Sequence, residues 1–109
     1  MNPCKQFLNE VSEFQTRENV YSFVDGVEIG LRISRAGDCI YILKIHSSIR
    51  GEGLASGTLR EVCSIADNLG VTLFLEVEES DGLTKKELGD WYWRFGFRGD
   101  YSMMERGPK

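Results

Sequence analysis

Residues 39–59 read CIYILKIHSSIRGEGLASGTL, and the change of pattern inside this stretch decides the fold. Its first part, 39–46, is apolar on both alternating faces, as expected of a central strand buried on both sides. After Gly53 the period changes. Ala55, Leu59, Val62, Cys63, Ala66 and Leu69 share one helical face, and Gly70 ends the run. VTLFLEVE, residues 71–78, returns to strand alternation, with Val71, Leu73, Leu75 and Val77 on one side. Strand, helix and strand in this order predict a parallel pair joined by a right-handed crossover. The glycine loop between them lies at the carboxyl end of the first strand, where open α/β sheets take ligands.

Upstream, NVYSFVDGVEIGLRIS (19–34) carries two alternating runs around Asp25-Gly26. That dipeptide marks a hairpin, because a tight primed turn needs positive φ. A second turn at Ala36-Gly37-Asp38 leads into the 39–46 strand, so 19–46 predict a three-strand antiparallel meander. Before it, Phe7, Leu8, Val11 and Phe14 suggest a short amphipathic helix over 3–15. Downstream, Thr84 and Glu87 have capping-box spacing, with Leu83 placed to staple onto Leu88. That helix should reach about Phe95 and stop at Gly96, leaving FRGDYSMMERG (97–107) room for one or two strands. The fold class is therefore α/β in the mixed, α+β sense. An antiparallel meander is followed by a β-α-β crossover, with helices packed on the sheet, in one domain over 1–109.

Composition narrows the function. A net charge of −4 and a pI near 5.0 disfavour a nucleic-acid coat, although Arg94 and Arg98 could share one basic patch. Three cysteines, an odd number without CxxC spacing, give neither a disulfide framework nor a zinc site, and no metal is expected. A reduced, cytoplasmic setting follows as the default. MNPCKQFLNEV at the start has no long apolar run, so neither a leader nor a membrane partner is expected. Met103, Met104 and the aromatics read as core, and Cys39 and Cys63 as small buried residues.

The glycine loop itself has two readings. Gly51 and Gly53 at a helix N-terminus can bring bare N–H groups to a phosphate, with Arg50 adding a charge-assisted contact. A plain strand-to-helix turn explains the same residues. Two nucleotide motifs fail: GxGxxG would need glycine at Ser56, and Walker A would need Gly-Lys-Ser/Thr.

LKIHSSIRGEGLA (43–55) resembles the acyl-CoA loop of the GNAT acetyltransferase superfamily, whose Arg/Gln-x-x-Gly-x-Gly/Ala is met by Arg50, Gly53 and Ala55. WYWRFGF (91–97) is similar to that family's Tyr-x-x-x-Gly-Phe, through Tyr92, Gly96 and Phe97, and LFLEVEES resembles its Leu-Glu-Val strand. The resemblance spans 19–106. It implies an acetyl-CoA-dependent N-acetyltransferase acting on an amine, in a protein or peptide if the short chain before the meander leaves the acceptor cleft open. Carried over residue by residue, backbone groups at Leu43 and Ile45 pair with the pantetheine arm, and an N–H near Ile45 polarises the thioester carbonyl. Arg50 and the amides of Gly51, Glu52, Gly53, Leu54, Ala55 and Ser56 hold the pyrophosphate.

The resemblance further makes Tyr92 the acid for the leaving sulfur and Glu76 the first choice of base. His46, the one histidine, ends the strand near the implied thioester and is the second choice. Each has a plain alternative: Tyr92 as core packing between tryptophans, Glu76 as a solvated carboxylate beside Glu78, His46 as a surface residue. A non-catalytic binding or regulatory protein on the same fold is the alternative function. A homodimer is compatible with either.

Overall fold

A computed structural model of the chain describes residues 2–48, 53–79 and 82–109. Helix α1, Pro3–Val11, begins at Asn2, whose side chain accepts hydrogen bonds from the N–H groups of Cys4 and Lys5. Its apolar stripe buries Cys4, Phe7 and Val11. The helix is shorter than expected. A 3-10 turn over Ser12–Phe14 follows, and then a strand the sequence pattern does not announce, β1 (Gln15–Arg17). All three β1 residues are exposed, so no alternation marks it. Asn19, at φ 61°, makes the tight turn that returns the chain into β2 (Val20–Tyr21).

The expected meander follows, with β3 at Val27–Ile33 and β4 at Ile40–Ser47, both antiparallel. Helix α2 (Leu54–Leu69) crosses over and ends at Gly70, φ 73°, and β5 (Leu73–Glu76) then pairs parallel to β4. Helix α3 (Lys85–Arg94) opens with the Thr84–Glu87 capping box. Leu83, the expected staple, stays 42% exposed. The chain closes with β6 (Arg98–Gly99) and β7 (Met103–Arg106), the latter inserted beside β5. Among the described residues the sheet order is β1-β2-β3-β4-β5-β7-β6.

The core fills one face of the sheet. Ile29, Leu31, Ile40, Ile42, Leu73, Leu75 and Met104 point into it, and buried residues of all three helices join the same cluster. Arg106 fastens the helices on that side. Its guanidinium donates to both carboxylate oxygens of Asp67 on α2, at 2.7 and 2.9 Å, and to the Phe95 carbonyl after α3, at 2.7 Å. On the opposite face Tyr41 meets Phe74 edge-on at 5.2 Å, and the Arg32 guanidinium lies over Tyr41.

Three burial expectations change. Strand β4 is central, but only its first half is buried, and Leu43 is 45% exposed. Met103 lies on the open face and Trp93 on the outside of α3, so both are exposed. Cys39 is half-buried, whereas Cys63 is buried and its thiol is pushed up to about 11 by that burial.

Candidate active site between two parting strands

The cleft begins where β4 and β5 separate. Their pairing covers Ile40 with Leu73, Tyr41 with Phe74 and Ile42 with Leu75, and goes no further. Two local features explain the parting. First, β4 carries a bulge. Leu31 faces Ile42 while Gly30 faces Lys44, so Leu43 is the extra residue. The inward alternation shifts there, from Ile40 and Ile42 before the bulge to Ile45 and Ser47 after it. Second, β5 keeps to its other neighbour. Glu76 pairs with Met103, and the Val77 N–H donates to the Ser102 carbonyl at 2.8 Å. Beyond Ile42, β4 thus pairs with β3, and Leu43–Ile45 have no partner on β5.

This opening holds about 640 Å³. Leu43, Lys44, Ile45 and Ser47 line it from β4, and Glu76, Glu78 and Glu79 from β5 and the segment after it. Gly53, Leu54, Ala55 and Ser56 close one end with the start of α2. Among the described residues no side chain caps that helix, in contrast to Asn2 on α1 and Thr84 on α3. Its first-turn N–H groups and the positive end of its dipole lie at this opening. Gly53 adopts φ 69°, and a β-carbon there would meet nothing within 4 Å. Arg50, Gly51 and Glu52 lie outside the described residues.

The other wall is α3. Leu88, Gly89 and Tyr92 are its buried residues, and Leu88, Trp91 and Tyr92 reach the cleft. Trp91 donates its indole N–H to Ser56 Oγ at 3.0 Å, so the wall is tied to the start of α2. Behind Tyr92 the chain folds back in a Schellman turn. The Gly96 N–H donates to the Trp93 carbonyl and the Phe97 N–H to the Tyr92 carbonyl, with Gly96 at φ 96°. That turn lays Phe97 edge-on against the Tyr92 ring at 5.6 Å. The packing reading of Tyr92 is therefore correct for its ring. Its hydroxyl is another matter. Tyr92 is 9% exposed, lines the cleft, and its hydroxyl has no hydrogen-bond partner among the described residues. Burial pushes its pKa up to about 12, so the proton stays on the oxygen throughout the neutral range.

The structure gathers Leu43, Ile45, Gly53, Leu54, Ala55, Ser56, Glu76 and Tyr92 around one opening. It does not bring His46 there: its neighbours Ile45 and Ser47 line the cleft, while His46 pairs across to Glu28 of β3. Arg98 donates to the carbonyls of Trp93 and Phe97 and stacks on the Trp93 ring at 3.9 Å, so it serves the end of α3. Three contributors escaped the sequence reading: the Leu43 bulge, the Trp91–Ser56 bond and the Asp90–Tyr101 contact. Tyr101 donates to Asp90 at 2.6 Å, and its ring lies where a β-carbon on Gly89 would stand. Only Gly89, a glycine inside a helix, carried a signal. No group of side chains able to hold a metal occurs among the described residues, and no described helix is long and apolar enough to cross a membrane.

Fold and cleft define a class: a mixed α/β protein with a GNAT-like sheet that parts between its fourth and fifth strands. Among solved structures, the crystal structure of the anti-CRISPR protein AcrVA5 has this fold. The match has a TM-score of 0.64 and 19% sequence identity, and covers 77% of this chain and 93% of that one. No protein-family model matches the chain, and no curated protein does.

Proposed function

We propose that the protein is an acetyl-CoA-dependent N-acetyltransferase acting on an amine of a protein or peptide. One observation carries this reading: the β4 edge at Leu43–Ile45 that β5 leaves, the start of α2, which no side chain caps among the described residues, and Tyr92, whose hydroxyl has no partner among them, line the same opening of about 640 Å³. A long, thin ligand with an anionic end fits those three features in order. The β4 edge at Leu43–Ile45 offers backbone groups to an amide-bearing arm, as an added strand would take them. The start of α2 offers N–H groups to a pyrophosphate. In that setting acetyl-CoA supplies an activated thioester.

The chain's own groups then have separate tasks. A free lysine amine has a pKa of about 10.4, so it needs a proton acceptor near neutrality. Glu76, which is exposed and lines the opening where the strands part, takes that proton directly or through water in this reading. As the amine nitrogen bonds to the acetyl carbon, the carbon–sulfur bond breaks and the sulfur takes the electron pair. The Tyr92 hydroxyl stabilises that developing charge by donating a hydrogen bond. A thiol has a pKa of about 8.5, well below that of Tyr92, so full proton transfer from the phenol runs uphill and water can complete it.

The same mismatch supports a second reading, a binding or regulatory protein that keeps the site without turnover. Mass spectrometry after incubation with acetyl-CoA and lysine-containing peptides separates the two. Acetylated peptide is expected. Acetyl-CoA bound without transfer would favour the regulator. The reading goes with a cytoplasmic setting, the default for a chain whose three cysteines are free. The anti-CRISPR role named for the structural neighbour enters only through the fold, and it suggests CRISPR effector proteins as a first set of acceptors to assay.

A further inference from the structure

Part of the cleft lining away from α2 in the chain is acidic. Glu76, Glu78 and Glu79 enter it from β5 and the segment after it. All three are exposed and hold no hydrogen bond or ion pair among the described residues. The α3 carboxylates are already engaged: Glu87 accepts from Thr84, and Asp90 from Tyr101 and Lys86. Lys44 and Arg94 are the cleft's described cations. A second, independent feature points to a ligand in the same place. Tyr92, 9% exposed, lines this cleft, and its hydroxyl makes no hydrogen bond among the described residues.

Resting on the acetyl-transfer reading above, we infer that the acceptor is a lysine set among other cationic residues of a protein. Unpaired carboxylates repel a phosphate-bearing ligand and attract one of opposite charge. The anionic co-substrate therefore belongs at the α2 end and the basic acceptor at the Glu78–Glu79 end. The reacting nitrogen enters toward Glu76 and Tyr92, and a neighbouring Lys or Arg of the acceptor meets Glu78 and Glu79. Carboxylates also hold an amine in its charged form, which opposes its reaction. Their contribution is therefore recruitment, expressed in KM and not in kcat. The shared chemistry is an amine with further positive charge beside it, which a linear polyamine also has.

The test uses peptides of equal length with one lysine flanked by Arg, Ser or Glu, and spermidine as the polyamine arm. Both kcat and KM are measured, together with peptide binding to the CoA-saturated protein by fluorescence anisotropy. The Arg-flanked peptide should show about tenfold higher kcat/KM than the Ser-flanked one, entirely through KM, as two or three exposed charge pairs would give. The advantage should shrink in about 0.5 M salt and in the Glu78→Gln/Glu79→Gln double variant. Equal values for all peptides, an advantage unchanged in the double variant, or spermidine preferred to the Arg-flanked peptide would each overturn the inference. If acetyl transfer fails on every acceptor, the acetyltransferase reading falls and the anisotropy decides the charge assignment alone. Tighter binding of the Arg-flanked peptide, lost in the double variant, supports it, and equal binding overturns it.

Discussion

A β-carbon on Gly30 would stand 3.0 Å from the β-carbon of Leu43, the extra residue in the β4 bulge. Glycine on β3 therefore gives the bulge its room, and the bulge turns β4 away from β5. The Leu43 side chain is exposed and can move, but its β-carbon is fixed to the backbone. Gly30→Val must push that backbone outward. The expected cost is about 1–3 kcal/mol, the scale of overpacking, with weaker acetyl-CoA binding. Urea unfolding and ligand titration check both, and Gly30→Ala should be milder in each.

Tyr92→Phe keeps the ring packed on Phe97 and removes the hydroxyl. Acetyl-CoA binding should persist while transfer slows by about 10²-fold, the scale of losing one hydrogen-bond donor to a developing charge. A pH signature accompanies it. The folded-state pKa is raised, so Tyr92 contributes stability that is intact below about pH 10, the unfolded value, and is lost as pH rises toward about 12. The decline should be shallower in Tyr92→Phe by up to about 3 kcal/mol at its alkaline end. Unfolding curves between about pH 9 and 12 measure it.

Much of this fold was legible because its signals are local. Periodicity changes after Gly53, Asp25-Gly26 turns the hairpin, and Gly70, Gly96 and Thr84 mark helix ends by backbone chemistry. What escaped depends on neighbours. β1 consists of exposed polar residues and exists through pairing with β2. Strand β4 reads as buried throughout, yet its far half opens because β5 is four residues long and follows β7. Tyr92 and Glu76 were legible as site candidates through motif spacing, and the structure sets both at one opening. His46 was chosen for its chemistry, and only the register shows that it lies beside the cleft and not in it.

That register separates the two candidate bases. A base matters most where the amine is protonated, so removing it should hurt more near pH 7 than near pH 9. Glu76→Gln should show that pattern in a pH–rate profile with one peptide acceptor. His46→Gln should track the wild type at both values. A pH-dependent defect in His46→Gln alone would reverse the assignment.

Asp67 does not line the opening but carries the junction of α2, α3 and β7. Arg106 is 6% exposed and its two bonds to Asp67 are bidentate. Hydrogen bonds from Arg106 are the leading cause that holds the Asp67 carboxyl below its usual range. Asp67→Ala leaves a buried guanidinium without its partner and should cost about 3 kcal/mol. The sign in pH follows from the depressed pKa. The contribution is present above the unfolded value of about 3.9 and is lost as pH falls through the lower folded value. Wild type should therefore lose more stability on acidification than Asp67→Ala, as thermal unfolding from neutral to acid pH would show.

Binding of acetyl-CoA followed residue by residue tests the central claim most directly. In a titration of isotope-labelled protein observed by amide NMR, shifts should concentrate at Leu43–Ile45, on the β4 edge that lines the opening, and at Gly53–Ser56, at the start of α2. Gly53→Asn is the matched control. Asparagine tolerates the left-handed backbone of Gly53 and can cap a helix, so the fold should survive while a side chain enters the space before α2. Shifts at those two segments, weakened in Gly53→Asn, are the expected result. An unchanged spectrum at saturating acetyl-CoA, or shifts clustered on the Tyr41–Phe74 face instead, would contradict it.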